Sequence, residues 1–231
     1  MTSSSENTSP DDQVPAWARR TAGESRWLAT AAMVGFLVLQ AVMPDWLRLG
    51  QWWTVPSIGF VLLLILFAAS PFRIDREEVW LRRVGLCLMG LLAFAMVWAV
   101  VNLVRGLIDG QVSNNAAGLL GSGVAVWLSN FLVFALWYWE LDRGGPAARA
   151  HARKPYPDFL FVQMQNPELA DPEWEPQFLD YLYLSFTNAT AFSPTDVMPM
   201  SRWAKLTMMV QSGISLITVS LVIARAVNVL K

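Results

Sequence analysis

Five apolar stretches alternate with polar connectors along the chain, at about 27–43, 53–69, 84–104, 118–139 and 203–230. Each approaches the roughly 20 apolar residues that a helix needs to cross the hydrocarbon layer of a bilayer. Backbone N–H and C=O groups find no water in that layer, so a chain that crosses it as separate segments does so as helices. The pattern therefore predicts an all-α membrane protein of about five transmembrane helices, with the lipid bilayer as its first partner. Trp27, Trp46, Trp52, Trp53, Trp80, Trp137, Trp139 and Trp203 stand at or near the ends of these runs, where an amphipathic indole sits well at the membrane–water boundary.

Between these runs the connectors divide the chain into a polar tail (1–26), a four-helix transmembrane region (27–139), a long polar loop (140–176) and a C-terminal unit (177–231). The tail is Ser- and Thr-rich and broken by Pro10 and Pro15, a composition expected to stay disordered. The long loop turns from basic (RGGPAARAHARKP) to proline-rich and acidic (NPELADPEWEPQ). Its piece DFLFVQM, from Asp158, fits either an interfacial segment or packing over the helix ends. Glu168, Asp171, Glu173, Glu175 and Asp180 read as a solvated surface, since Pro172 and Pro176 prevent a helical array.

Basic residues set the orientation, because loops rich in Lys and Arg resist translocation. Thirteen of the 17 lie in the tail, the second connector, the long loop and the start of the last run; only Arg48, Arg105, Arg225 and Lys231 fall on the other side. The expectation is a multi-pass protein of the cell inner (plasma) membrane with a cytoplasmic N-terminus, and a long loop on the same side, available to a cytoplasmic partner.

The chain is 55% hydrophobic and 15% charged, with mean hydropathy +0.38 and net charge −1. Clustered cations for a phosphate backbone are missing, so nucleic acid is not an expected partner. One cysteine, Cys87, lies inside an apolar run and reads as a small buried hydrophobe. The one histidine, His151, has no neighbouring ligand. No catalytic set, metal cluster or phosphate loop can be assembled, and neither an enzyme nor a cofactor is expected.

The stretch QFLDYLYLSFTNATAF, from Gln177, is too short to cross and too apolar for open water. It fits a short re-entrant helix, which membranes tolerate where the backbone lies against protein, or an interfacial helix before the last span. Ser193, Pro194, Thr195 and Asp196 read as a helix start, with Ser as N-cap and Pro at the first helical position. Thr190, Ser193, Thr195 and Asp196 also fit a ring of side chains around a cation path in an oligomer. In the last run, Thr207, Gln211, Ser215, Thr218 and Arg225 are spaced 4, 4, 3 and 7 apart and share one helix face. Such a stripe faces water in a pore or glues helices together. Gln40, Asn102 and Asn130 are candidate partners in the same seam, and Gly118, Gly121 and Gly123 permit close helix approach.

The run YLSFTNATAFSPTD (183–196), followed by Met198, Pro199 and a final helix, resembles the pore-helix, filter and inner-helix pattern of the potassium-channel superfamily. The chain also resembles an uncharacterised family of bacterial multi-spanning membrane proteins, through the same segment, 127–130 and 134–139. The resemblance implies a pore loop, a homo-tetramer and an ion path. The positions matching the filter are Ala191, Phe192, Ser193, Pro194 and Thr195. They hold no glycine, and Pro194 fixes φ, so a potassium-type filter of backbone carbonyls is not expected. Two functions stand: a pore of unnamed selectivity, and a non-conducting membrane scaffold or accessory subunit.

Overall fold

The computed structural model describes residues 14–69, 79–109, 116–190 and 196–229. Five long helices build a bundle: α1 (Trp27–Val42), α2 (Thr54–Ala69), α3 (Val79–Ile108), α4 (Ala116–Leu141) and α8 (Arg202–Val229). Of these, α3, α4 and α8 are long and apolar enough to cross a membrane, whereas α1 and α2, at 16 residues each, are shorter apolar helices. The protein is thus an all-α membrane protein. Three helices of spanning length stand where five were expected, and the connector of the short pair packs on them, Met43 and Leu47 being buried with Leu103 and Leu107 of α3 and Leu119 of α4.

Helix α4 is the hub, packed against α1, α3, α8 and the half-helix α7 (Phe178–Thr190). One core cluster unites Phe36, Leu88, Leu92, Leu136, Tyr138, Phe178 and Tyr181. The opposite face of α8 is exposed along its length and apolar, with Leu206, Met209, Val210, Leu216, Ile217, Ile223 and Val227.

At the end of the bundle where α4 finishes and α8 begins, the chain builds a folded cap. It contains a 3-10 turn at Asp142–Gly144, α5 (Pro146–Ala150), β1 (Phe159–Leu160), α6 (Val162–Gln165) and β2 (Met198–Pro199). The two strands pair antiparallel, Phe159 with Pro199 and Leu160 with Met198. The region expected as a long polar loop thus has a buried first half, in which Asp142, Arg143, Pro146, Ala148, Arg149 and Ala150 are all covered. The DFLFVQM piece packs over the helix ends. Phe159 and Phe161 are buried, and their rings meet Tyr138, Trp174, Tyr181 and Trp203 edge-on.

The expectation of disorder over 1–26 fails for its described part. Ala16–Ala18 form a 3-10 turn, and the backbone N–H groups of Ala16 and Thr21 donate to Pro172 and Ala150 carbonyls. Local composition undervalues this segment because its partners lie more than 120 residues away. Two single-residue readings also change: Cys87 is exposed on the outer face of α3, and Trp139 is buried rather than interfacial.

Of the three glycines at the start of α4, Gly123 sits at a close approach. A Cβ there would stand 2.8 Å from both methyls of Val222, whereas at Gly121 it would meet nothing within 4 Å. Val222 is β-branched and stiff, so it cannot swing aside. Gly123→Ala is expected to lower stability by about 1–3 kcal/mol through overpacking. Gly121→Ala should raise it by about 0.5–1 kcal/mol through helix propensity. Denaturant titration of both variants in one detergent, followed by circular dichroism, checks the pair.

Candidate functional site

The segment expected to be re-entrant or interfacial forms α7, and its placement follows from its contacts. Phe178 at its start is buried against Trp139 at the cap, and its N–H donates to Glu24 (2.9 Å). After 13 residues the helix ends beside Ser215, about 18 Å along α8 from Trp203 at the α-helical rise. That distance is more than half of the roughly 30 Å that an apolar layer measures. Beyond Thr190, the described chain resumes at Asp196, whose carboxylate accepts from the Tyr183 hydroxyl (3.4 Å), two turns back toward the cap. β2 then holds the strand after Asp196 at the cap beside β1. The half-helix starts at the cap end, and the described chain resumes with Asp196 and β2 at that same end.

A helix ending inside an apolar layer leaves its last carbonyls without intrahelical donors. Side chains answer them here. Ser212 Oγ donates to the Asn188 carbonyl (3.2 Å), Ser215 Oγ to the Ala189 carbonyl, and Thr190 Oγ1 to the Thr187 carbonyl (2.9 Å). One turn earlier, Gln211 Nε2 donates to the Ser185 carbonyl (3.0 Å) and to Ser185 Oγ (2.7 Å). Gln211 Oε1 accepts from Tyr138 OH (2.6 Å) and Asn188 Nδ2 (2.8 Å). Trp127 Nε1 of α4 donates to Ser215 Oγ (3.1 Å), and Ser185 Oγ donates to the Phe131 carbonyl (2.7 Å). Gln211 is fully buried, with every side-chain donor and acceptor engaged inside the chain.

The expected site residues separate on this geometry. Gln211 and Ser215 form the knot, with Ser185 and Asn188 as partners that periodicity alone did not single out. Thr218 is buried in line with them, its hydroxyl without a partner. Thr207 bonds only its own helix, at the Trp203 and Ala204 carbonyls. Thr190 and Asp196 flank residues 191–195, so Ser193 and Thr195 lie outside the described residues, as do Ala191, Phe192 and Pro194. The helix start assigned to Ser193 falls there too. Within the described chain, α8 is capped by Ser201, whose Oγ accepts from Ala204 N–H (3.3 Å). Asn130 joins the seam through the Gln211 carbonyl, whereas Asn102 bonds only Trp98 in its own helix.

No family model, curated protein or solved structure matches this chain. Its chemistry is therefore read from the site itself.

A second cluster sits where the cap meets the bundle, and sequence periodicity gave no sign of it. Asp142 Oδ2 accepts from Tyr181 OH (2.6 Å) and its Oδ1 from Asp158 N–H (2.9 Å). Asp158 in turn accepts from Arg143 N–H (2.9 Å) and Trp203 Nε1 (2.8 Å). These two carboxylates tie α4, α7 and α8 to the cap. Arg149 donates to the Trp139 and Asp142 carbonyls, stands over the Tyr181 ring, and pairs with Glu24 at 3.5 Å. Burial raises the Glu24 carboxyl above its usual range despite Arg149. Burial alone would lower the Arg149 guanidinium, but Tyr181 and the surrounding carboxylates hold it raised. Arg143, at φ 52°, is fully buried and donates to the Lys154 and Trp17 carbonyls. Buried charges persist where they are paired and hydrogen-bonded, and this arrangement is a structural clamp.

Gln211→Leu leaves the Tyr138 hydroxyl, Ser185 and Asn188 short of partners at once. The expected loss is about 1–3 kcal/mol of stability, the range for stranding buried polar groups. Thermal unfolding of the purified protein checks it.

Proposed function

We propose that this chain is a non-conducting multi-pass membrane scaffold or accessory subunit, held in the inner membrane with its N-terminus and cap in the cytoplasm. The observation that carries this reading is the complete use of Gln211 and Ser215 within one chain. A stripe engaged in this way is interhelical glue. Beyond Arg202 and Lys205 in its first turn, the outward face of α8 offers no substitute lining, because its large exposed side chains from Leu206 to Val227 are apolar. Orientation follows from Arg19, Arg20, Arg26, Arg149 and Arg153 gathering at the cap end, as cytoplasmic segments do. The cap also carries exposed Tyr156 and Leu169, 85% and 84% accessible, as contact points for a cytoplasmic partner.

A second reading, a pore-loop protein, is favoured by one observation: α7 is a half-helix that runs from the cap along α8 and leads to the segment that resembles a filter. In that reading four copies surround an axis, and Thr190, Ser193, Thr195 and Asp196 line the path.

Subunit counting by native mass spectrometry in lipid nanodiscs, paired with cation flux into proteoliposomes, separates the two. The scaffold reading expects no tetramer and no flux above empty vesicles. A tetramer whose flux changes with Asp196→Asn overturns it in favour of the pore.

A further inference from the structure

A cavity of about 170 Å³ opens at the cap end among α1, α2, α3 and the end of α4. Its rim carries three guanidiniums from three separate segments: Arg26 ahead of α1, Arg82 in the first turn of α3, and Arg153 after α5. Among the described residues of the lining, Glu140 is the one carboxylate beside the three guanidiniums. The floor is of the opposite character. Ala29 and Met33 of α1, Leu63 and Leu66 of α2, and Met89 of α3 are buried and apolar, and all line the cavity. Gly85, also in the lining, is buried by its neighbours, yet a Cβ built there would meet nothing within 4 Å. The helix surface therefore faces open space where packing would ordinarily fill it.

Neither half of this lining suits water or a small ion alone. Arginines converging on one rim form a site for phosphate oxygens, which a planar guanidinium meets with paired hydrogen bonds. An apolar floor between three apolar helices, α1, α2 and α3, suits hydrocarbon. Arg26 is already anchored, its Nη1 donating to the Leu66 carbonyl (2.6 Å), which fixes part of the rim before any ligand arrives. Val79, 68% exposed, adds an apolar residue to the accessible part of the lining.

We infer that this cavity binds the phosphate headgroup of an anionic phospholipid, with the upper part of an acyl chain against the Gly85 floor. Basic pockets between helices on the cytoplasmic side are suited to such headgroups. The site stands apart from the α7 knot, and its occupancy does not depend on whether the chain conducts.

The test titrates the full-length protein in a neutral detergent with phosphatidylglycerol, phosphatidylcholine or inorganic phosphate. Bound lipid is counted by native mass spectrometry and the melting temperature is followed in parallel. Phosphatidylglycerol is expected to be retained and to raise the melting temperature, with little response to the other two. The double variant Arg82→Gln, Arg153→Gln should weaken phosphatidylglycerol binding by about tenfold or more, as loss of two charge-assisted contacts implies. Gly85→Leu fills the floor without touching a charge and should also displace the lipid while the protein stays folded, so it decides the matter if the double variant does not fold. Arg48→Gln, at the opposite end of the bundle, should bind as the native chain does. Equal retention of phosphatidylcholine, or undiminished phosphatidylglycerol binding in Gly85→Leu, overturns the site. An equal response to inorganic phosphate overturns the lipid as its source and assigns a soluble anion.

Discussion

A helix that stops partway along a bundle of apolar helices must find donors for its last carbonyl groups, and α7 is such a helix. A buried carbonyl left unmet costs free energy on the scale of a lost hydrogen bond. The polar residues of α8 stand where those carbonyls are. Ser212 and Ser215 meet the carbonyls of Asn188 and Ala189, and Gln211 reaches that of Ser185 one turn before. The stripe along α8 is thus the other half of α7. Tyr138, Trp127 and Asn130 extend the same bonding to α4, the hub of the bundle.

A re-entrant segment also needs both of its ends held at one side, and the cap does this with few groups. Glu24 receives the first N–H of α7, Tyr181 is tied to Asp142, and the returning chain is pinned by the pairing of β2 with β1. Asp158 links that pairing to the start of α8 through Trp203. Carboxylates and guanidiniums are buried here at a desolvation cost that only dense hydrogen bonding offsets. Arg143 and Arg149 are covered because carbonyls from Trp17, Trp139, Asp142 and Lys154 surround them. The cap is therefore a rigid collar that fixes where α7 enters.

Length and hydropathy made the five apolar helices legible, because a long helix writes its boundaries in composition. The bounds of α1 and α2 agree with the apolar runs to within a residue or so, while α3 extends five residues earlier, through Trp80 and Arg82, into a charged turn that hydropathy reads as connector. Periodicity marked Gln211, Ser215 and Thr218 as one face, but it could not say what they face. Their partners Ser185 and Asn188 lie 23 to 26 residues earlier, in a segment whose own pattern fitted two placements. The cap was illegible for a different reason. Its order comes from contacts between residues 14–26, 142–158 and 178–203, pieces far apart in sequence whose own patterns do not name one another. Pairings between distant charges leave no local periodicity.

The measurement that bears most directly on this account is the stability of the double variant Ser212→Ala, Ser215→Ala against Ser220→Ala, an exposed serine on the same helix. Removing both hydroxyls strands two α7 carbonyls in the apolar layer. The account predicts a loss of about 2–4 kcal/mol for the double variant, from two unmet acceptors, and a change within about 0.5 kcal/mol for Ser220→Ala, the usual range for exposed sites. Equal stability of the two variants would contradict it, because the stripe would then not be what holds the half-helix in place.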